Sequence, residues 1–207
     1  MQMWSYMVGS VMTNCYVLAE KEKSEAALID PGDEAEYLLR ECEKQGLSVK
    51  AILLTHGHYD HMLAVPALRE KTGAPVYAAE AETALLADAQ MNLSASWERQ
   101  PTVLTADVRL RDGEEFSLLG HTMRMLLTPG HTAGSCCYYL PEKGWLFSGD
   151  TLFYESYGRT DLPTGSLSQI RNSVRERLLA LSQETAVFPG HGEETTIGHE
   201  KKYNPLA

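Results

Sequence analysis

Cysteine is scarce: Cys15, Cys42, Cys136 and Cys137 are the only four in 207 residues, and none has CxxC spacing. That argues against a disulfide framework and against a cysteine zinc site, and the adjacent pair falls on opposite faces of any strand that carries it, so free, largely buried thiols are expected. Basic residues are few as well, 18 against 28 acidic ones, for a formal charge of −10. A field of that sign repels nucleic-acid phosphates and anionic lipid surfaces, which disfavours both as partners. No apolar run approaches the ~18 residues that span a bilayer, and residues 1–12 have neither the basic stretch nor the apolar core of a signal peptide. A cytoplasmic protein that engages neither membrane nor nucleic acid is expected. Linkers are missing too: no Ser/Gly-rich, Pro-rich or low-complexity stretch divides the chain, so one domain over residues 1–207 is expected, and nothing in the composition specifies an oligomeric state.

What is present is apolar material, 43% of residues, enough for one sizeable core. Residues 3–8, 14–19 and 26–30 are short apolar runs parted by Gly9-Ser10 and by the charged turn 21–25, the pattern of an antiparallel meander. Asp33 can cap a helix over 34–45 in which Ala35, Leu38, Leu39 and Cys42 recur at helical spacing, with Gly46 as its stop. The run 49–55 is almost wholly apolar and too short for a helix, as in a strand covered on both faces. A helix from Pro66 to Gly73, a strand over 75–78 and a helix over 80–89 follow. Residues 90–107 show no clean period and read as a loop, or a loop with one helical turn, whose Met91 and Trp97 are expected to be buried rather than to form a lid. From Val108 a second meander is punctuated by Asp112-Gly113, Gly120, Pro129-Gly130 and residues 141–144. A helix over 168–181, with the stripe Ile170, Val174, Leu178 and Leu181, and a strand over 186–188 complete the reading. Strands first and helix afterwards, twice, predicts two sheets packed face to face with helices outside.

Histidine placement carries the most information. The stretch Thr55-His56-Gly57-His58-Tyr59-Asp60-His61 offers four nitrogen or carboxylate donors within six residues. Three further strand-then-turn segments repeat one design: Leu127-Thr128-Pro129-Gly130-His131, Phe147-Ser148-Gly149-Asp150 and Phe188-Pro189-Gly190-His191. Unpaired buried polar groups cost about 1–3 kcal/mol each, whereas a cation satisfies all of these together. Five histidines and two aspartates exceed the needs of one ion of four to six coordination, and two ions sharing Asp150 use them all. Histidine with carboxylate suits zinc, iron or manganese, and the lack of cysteine donors argues for a site that keeps open positions for water and substrate.

This series, His-x-His-x-Asp-His at 56–61 followed by His131, Asp150 and His191, resembles the metallo-β-lactamase fold superfamily over nearly the whole chain. The resemblance implies an α/β protein built as an αββα four-layer sandwich. By motif it implies His56, His58 and His131 at a first site, Asp60, His61 and His191 at a second, and Asp150 as the bridge between two divalent ions, zinc foremost. Asp30, in Leu28-Ile29-Asp30-Pro31-Gly32, matches an aspartate that the superfamily places near the site, which implies support of a ligand; a cap for the following turn is the alternative. Gly149-Asp150-Thr151-Leu152-Phe153, Gly158-Arg159-Thr160-Asp161 and the ending around Phe188 to Gly192, Thr195 to Gly198 and Asn204-Pro205 are similar to the glyoxalase II group, particularly its short bacterial single-domain members. That similarity implies hydrolysis of a small-molecule acyl thioester and places a basic substrate contact at Arg159. An ion pair with Asp161 is the alternative for Arg159, while Tyr157 and Tyr154 stand where they flank a substrate or pack. Full-length glyoxalase II carries a C-terminal helical domain that helps hold glutathione; here 16 residues follow His191, so a high KM for glutathione thioesters is expected. His121 and His199 lie outside the pattern and are expected at the surface or in packing.

Two divalent ions about 3.5–4 Å apart acidify a shared water and polarise a carbonyl, with Asp60 and Asp150 as the carboxylates at the reaction centre. A thiolate with a pKa near ~8.5 leaves without a strong acid, whereas an amide nitrogen must be protonated, and no general acid stands out beyond the ligands. Thioester hydrolysis is therefore favoured. The alternatives are a persulfide dioxygenase with one iron on His56, His131 and Asp150, and a lactone or β-lactam hydrolase, the latter disfavoured by the missing export signal. A nuclease of the same fold is disfavoured by the charge.

Overall fold

Side-chain alternation decides the architecture. Along β2 (Thr13–Glu20), Cys15, Val17 and Ala19 face one apolar cluster while Tyr16 and Leu18 face another, so the strand is covered on both sides. The computed structural model describes residues 1–20, 22 and 24–207; Lys21 and Lys23 of the expected charged turn lie outside the described residues. β1 (Gln2–Val8), β2 and β3 (Glu25–Ile29) form the expected antiparallel meander, and β4 (Ser48–Leu53), β5 (Val76–Ala79) and β6 (Val108–Leu110) extend it in parallel, giving the order β1-β2-β3-β4-β5-β6. The second sheet runs β7 (Glu115–Leu118), β8 (His121–Leu127), β9 (Cys136–Leu140) and β10 (Trp145–Gly149) antiparallel. It continues with β11 (Ala186–Pro189) parallel to β10 and ends on β12 (Thr195–Thr196).

Helices cover the outer faces: α1 (Ala35–Lys44), the short α2 (Tyr59–Met62), α3 (Val65–Thr72), α4 (Thr83–Leu86), α5 (Ser94–Trp97), α6 (Leu167–Asn172, continued by one wider turn, Ser173–Leu178) and α7 (Ile197–Tyr203). Leu38, Cys42, Val65 and Leu68 pack on Val17, Leu28, Ile52 and Val76 of the first sheet; Ile170, Val174, Leu178 and Ile197 pack on Leu126, Cys137, Leu146 and Val187 of the second. Between the sheets lie Ile29, Leu53, Met123, Tyr138 and Phe147. At about 1.5–3 kcal/mol for each fully buried side chain of this size, these layers dominate stability. The result is the αββα sandwich. All four cysteines are free and buried, and Cys136 and Cys137 point into different layers, as the alternation requires.

Three elements differ from expectation. Asp33 does not cap α1: Glu34 occupies the flanking position with a left-handed φ of 58°, and Asp33 Oδ1 accepts from its N–H at 2.7 Å. The helix expected over 80–89 is a tight turn, Glu80–Glu82, followed by the single turn of α4, because the Glu82 side chain is drawn inward. α7 was not foreseen; Thr196 Oγ1 accepts from His199 N–H at 3.1 Å and starts it. No helix of the described residues is long and apolar enough to cross a membrane.

The two sheets meet along one edge, where backbone hydrogen bonds join them: Asn14 N–H donates to the Gly190 carbonyl and Cys136 N–H to the Thr55 carbonyl, each at 2.8 Å. Tyr16 adds its hydroxyl, donated to the Pro189 carbonyl at 2.7 Å. This is the edge at which β3, β4, β8, β10 and β11 all end, and their following turns carry the histidines and aspartates.

Candidate metal centre

Turns at four strand ends converge there. His56, His58 and His61 follow β4, His131 follows β8, Asp150 follows β10 and His191 follows β11. The donor atoms fall into three overlapping sets, His56 with His58 and His131, His56 with His61 and Asp150, and Asp60 with His61 and His191, each within 4.8 Å. All seven residues expected to ligate are thus brought together. Asp150 lies between the sets: its Oδ1 is 3.4 Å from His61 Nε2 and its Oδ2 is 3.5 Å from His131 Nε2. Gly190 allows this crowding, since a Cβ there would meet Asp150 Oδ1 and the His61 ring.

Ring nitrogens face one another rather than ordinary partners. His58 Nδ1 lies 2.9 Å from His131 Nε2, and His61 Nε2 lies 3.3 Å from His191 Nε2 and 3.6 Å from Asp60 Oδ2. His56 Nε2, His58 Nε2 and Asp150 Oδ1 are buried with no hydrogen-bond partner. Such orphaned atoms are rare in folded proteins. Imidazole nitrogens and carboxylate oxygens converging in this way fit a divalent cation of the zinc, iron or manganese kind.

Electrostatics divides the cluster. Burial, reinforced by His61, His131 and His58, holds His56 well below the ordinary imidazole value, and burial with His131 brings His58 down to about 3, so both rings are neutral donors at neutral pH. Burial also opposes charge on His61, yet Asp60, Asp150 and Asp30 together outweigh it and raise His61 to about 10. Asp60 is held below the usual carboxylate range despite its burial, by His61 and His191.

Behind the donors stands Asp30. It is 1% exposed; its Oδ1 accepts from Thr55 N–H at 2.7 Å, and its Oδ2 accepts from Thr55 Oγ1 at 2.6 Å and from His61 Nδ1 at 3.1 Å. Of the two roles open from sequence, the hydrogen bonds match the first, since Asp30 contacts His61, an expected ligand.

The centre forms the floor of a cleft of about 710 Å³ whose walls are Val11, Leu93, Trp97, Phe153 and Leu162, with Arg159 at its edge. Trp97 departs from expectation: it is 69% exposed and lies parallel to Tyr59, with planes 7° apart and centroids at 6.3 Å. Its loop is fastened from beneath instead, by Asn92 Nδ2 and Ser94 Oγ donating to the Thr102 carbonyl at 2.8 and 2.9 Å. Met91 is half-buried. Tyr157 packs against the outer core layer of the second sheet and is not among the described residues lining the cleft; Phe153, four positions closer to Asp150, takes that place. Tyr154 stacks on His199, which pairs with Glu155, and His121 sits between Glu20 and Glu142, so both outlying histidines are surface groups as expected. Arg159 lines the cleft, and its Nε and Nη2 donate to Asp161 at 2.7 and 2.8 Å, so the ion pair is formed. Sequence reasoning missed Glu82, a buried acid behind the histidine turns whose only signal was an acidic residue in a segment read as an exposed helix.

A family model described as the metallo-beta-lactamase superfamily matches residues 8–191. Among curated proteins, hydroxyacylglutathione hydrolase GloC of Haemophilus influenzae is 36% identical, over 96% of this chain and 94% of GloC. Among solved structures, BLEG-1 B3 metallo-beta-lactamase superposes with a TM-score of 0.93 at 38% identity over 99% of both chains. TTHA1623 in a di-iron-bound form gives 0.87 at 38% identity over 99% of this chain and 100% of that one.

Proposed function

Because the chain belongs to the metallo-beta-lactamase superfamily, we propose that it is a two-metal hydrolase of small acyl thioesters, of the glyoxalase II type, with zinc as the first candidate for both ions. One observation carries the thioester reading. Among the described residues lining the cleft, no carboxylic acid or histidine stands apart from the donor set. Tyr59 also lines the cleft, and burial followed by Asp60 raises its phenol above an already high value. A leaving group that needs no proton, a thiolate, suits such a site. The similarity to GloC points the same way.

When bound, two divalent cations supply Lewis acidity that lowers the pKa of water and polarises an acyl carbonyl. His56, His58 and His131 are assigned to one ion and Asp60, His61 and His191 to the other, with Asp150 shared because its carboxylate lies near members of both sets. Thr13 Oγ1, 3.5 Å from Asp60 Oδ2, and Asp30 on His61 hold the second set in orientation. Val11, Leu93, Trp97 and Phe153 exclude water around the acyl group, and Arg159 is placed to hold a carboxylate on the thiol. A single arginine at the cleft, already shared with Asp161, offers little to the two carboxylates of glutathione, which favours a smaller thiol or a high KM for glutathione.

The test compares purified, metal-analysed protein on matched thioester, oxygen ester and amide substrates. Faster thioester cleavage is the expected result; equal or reversed rates overturn it. The likeness to BLEG-1 favours a second reading, lactam or lactone hydrolysis, and reversed rates together with turnover of a β-lactam would establish that one. Protein that carries a single iron and takes up oxygen with a persulfide would replace both, using His56, His131 and Asp150.

A further inference from the structure

Glu82 is 1% exposed and lies outside the cleft lining, in the turn between β5 and α4. Its Oε1 accepts from Gly57 N–H and from Thr132 Oγ1, both at 2.9 Å, and its Oε2 is 3.0 Å from the same threonine hydroxyl. Gly134 N–H donates to the carboxylate as well. These partners sit next to the donors: Gly57 separates His56 from His58, and Thr132 follows His131. One buried carboxylate therefore ties together the two turns that present the first histidine set, although the partners stand 25 and 50 positions away in the chain.

The tie is tight on both sides. Thr132 Oγ1 is held in turn by Ser135 Oγ at 2.7 Å, and a Cβ at Gly134 would collide with Glu82 Oε2 and its backbone nitrogen, so the second turn approaches the acid as closely as a peptide can. Buried acids without such donors are costly. Burial pushes the Glu82 carboxyl up to about 7, and the Gly57, Thr132 and Gly134 donors act against that rise.

We propose that Glu82 is a positioning residue for the metal centre: by bonding both turns, it fixes the separation of His58 and His131 and so sets the affinity of the first cation site, while the second is governed from Asp30. The proposal rests on the two-ion reading above. Glu82 touches neither substrate nor ion; it acts through Gly57 and Thr132 on the rings beside them.

Zinc alone is the probe, titrated into metal-stripped protein against a chromophoric chelator. The unmodified protein binds two zinc ions; a protein that binds none overturns the two-ion reading and this proposal with it. Glu82→Gln and Thr132→Val break the tie from opposite ends, and each weakens one zinc site about 10–100-fold, the range for groups that support ligands. The weakened site is the one lost in His58→Ala, and the other changes less than about twofold, whereas Asp30→Asn shows the reverse pattern. Thr132→Ser keeps the hydroxyl and restores affinity. The Glu82→Gln/Thr132→Val double variant is no worse than either single one, because both remove the same link. Thermal unfolding of the metal-free proteins separates positioning from scaffolding. Unchanged affinity at both sites, or an equal loss at both that follows the metal-free Tm, overturns the proposal. Should Glu82→Gln fail to fold, Thr132→Val against Thr132→Ser decides.

Discussion

Asp30 and His61 are joined by a hydrogen bond of 3.1 Å between Oδ2 and Nδ1, and the aspartate that makes it sits at φ 50°, in the left-handed region. Strained positions of this kind cost about 1–3 kcal/mol and persist where surrounding bonds over-determine them. Here Thr55 supplies two of those bonds, from its N–H and its hydroxyl. The strain is spent on turning the carboxylate toward His61 Nδ1, which orients the ring so that Nε2 faces Asp60, Asp150 and His191.

Replacing that acid tests the arrangement. Asp30→Asn keeps the shape but presents an amide where an acceptor is needed, so the second ion site is expected to weaken about 10–100-fold. Metal content after dialysis against a graded chelator reads this directly; two ions retained at the original affinity would show that the Asp30 bond does not orient the ligand.

Asp150→Asn is expected to abolish most turnover, a loss beyond the ~10–100-fold typical of supporting groups, because the side chain reaches both donor sets. Circular dichroism should show the fold intact. An unchanged kcat would remove Asp150 from the bridging position.

At the rim, Arg159→Ala should raise KM for a thioester whose thiol carries a carboxylate, with a smaller change in kcat, since a contact kept equally in ground and transition states acts on binding. Asp161→Ala frees the guanidinium from its present partner and should lower the same KM. Equal effects of Arg159→Ala on charged and uncharged thiols would assign the pair to loop fastening alone.

Trp97→Ala removes an exposed ring from a loop anchored elsewhere, so thermal stability should hold within experimental scatter. KM should rise several-fold for apolar or aromatic acyl groups and little for acetyl, a series measurable with one assay. A uniform rise across the series would mean the ring shapes the mouth rather than gripping the acyl chain.

How much of this was legible before any coordinates follows from what decides each feature. The layers were readable because alternation in β2 and the helical stripe of α1 are local periodicities. The donors were readable because four of them lie within six residues and the rest each follow a strand and a glycine. Trp97 was misjudged because hydrophobicity argues for burial while Asn92 and Ser94, reaching Thr102, settle which way the loop faces. Tyr157, open between flanking a substrate and packing, could not be decided from sequence, since a loop position says nothing about which side of the loop meets the core. Glu82 was invisible: its partners are 25 and 50 positions distant, and only the folded chain brings them together. The break inside α6 and the start of α7 likewise depend on packing that no local period records.

The backbone bonds that stitch the two sheets have a consequence for how the centre comes into being. Four of the seven donors belong to the first sheet's half of the chain and three to the second, and the seam passes between them, with Asn14 reaching Gly192 across 178 positions of sequence. Neither half owns a complete site. The centre therefore exists only after the slowest kind of event in folding, closure between remote segments, has taken place. Once ions are in place they act as a rivet across that seam, adding about 2.7 kcal/mol when free metal stands a hundredfold above its Kd. Catalytic competence and the mating of the two halves are in this protein a single event, so a strand or turn that loosens the seam would silence the enzyme before it unfolds either sheet.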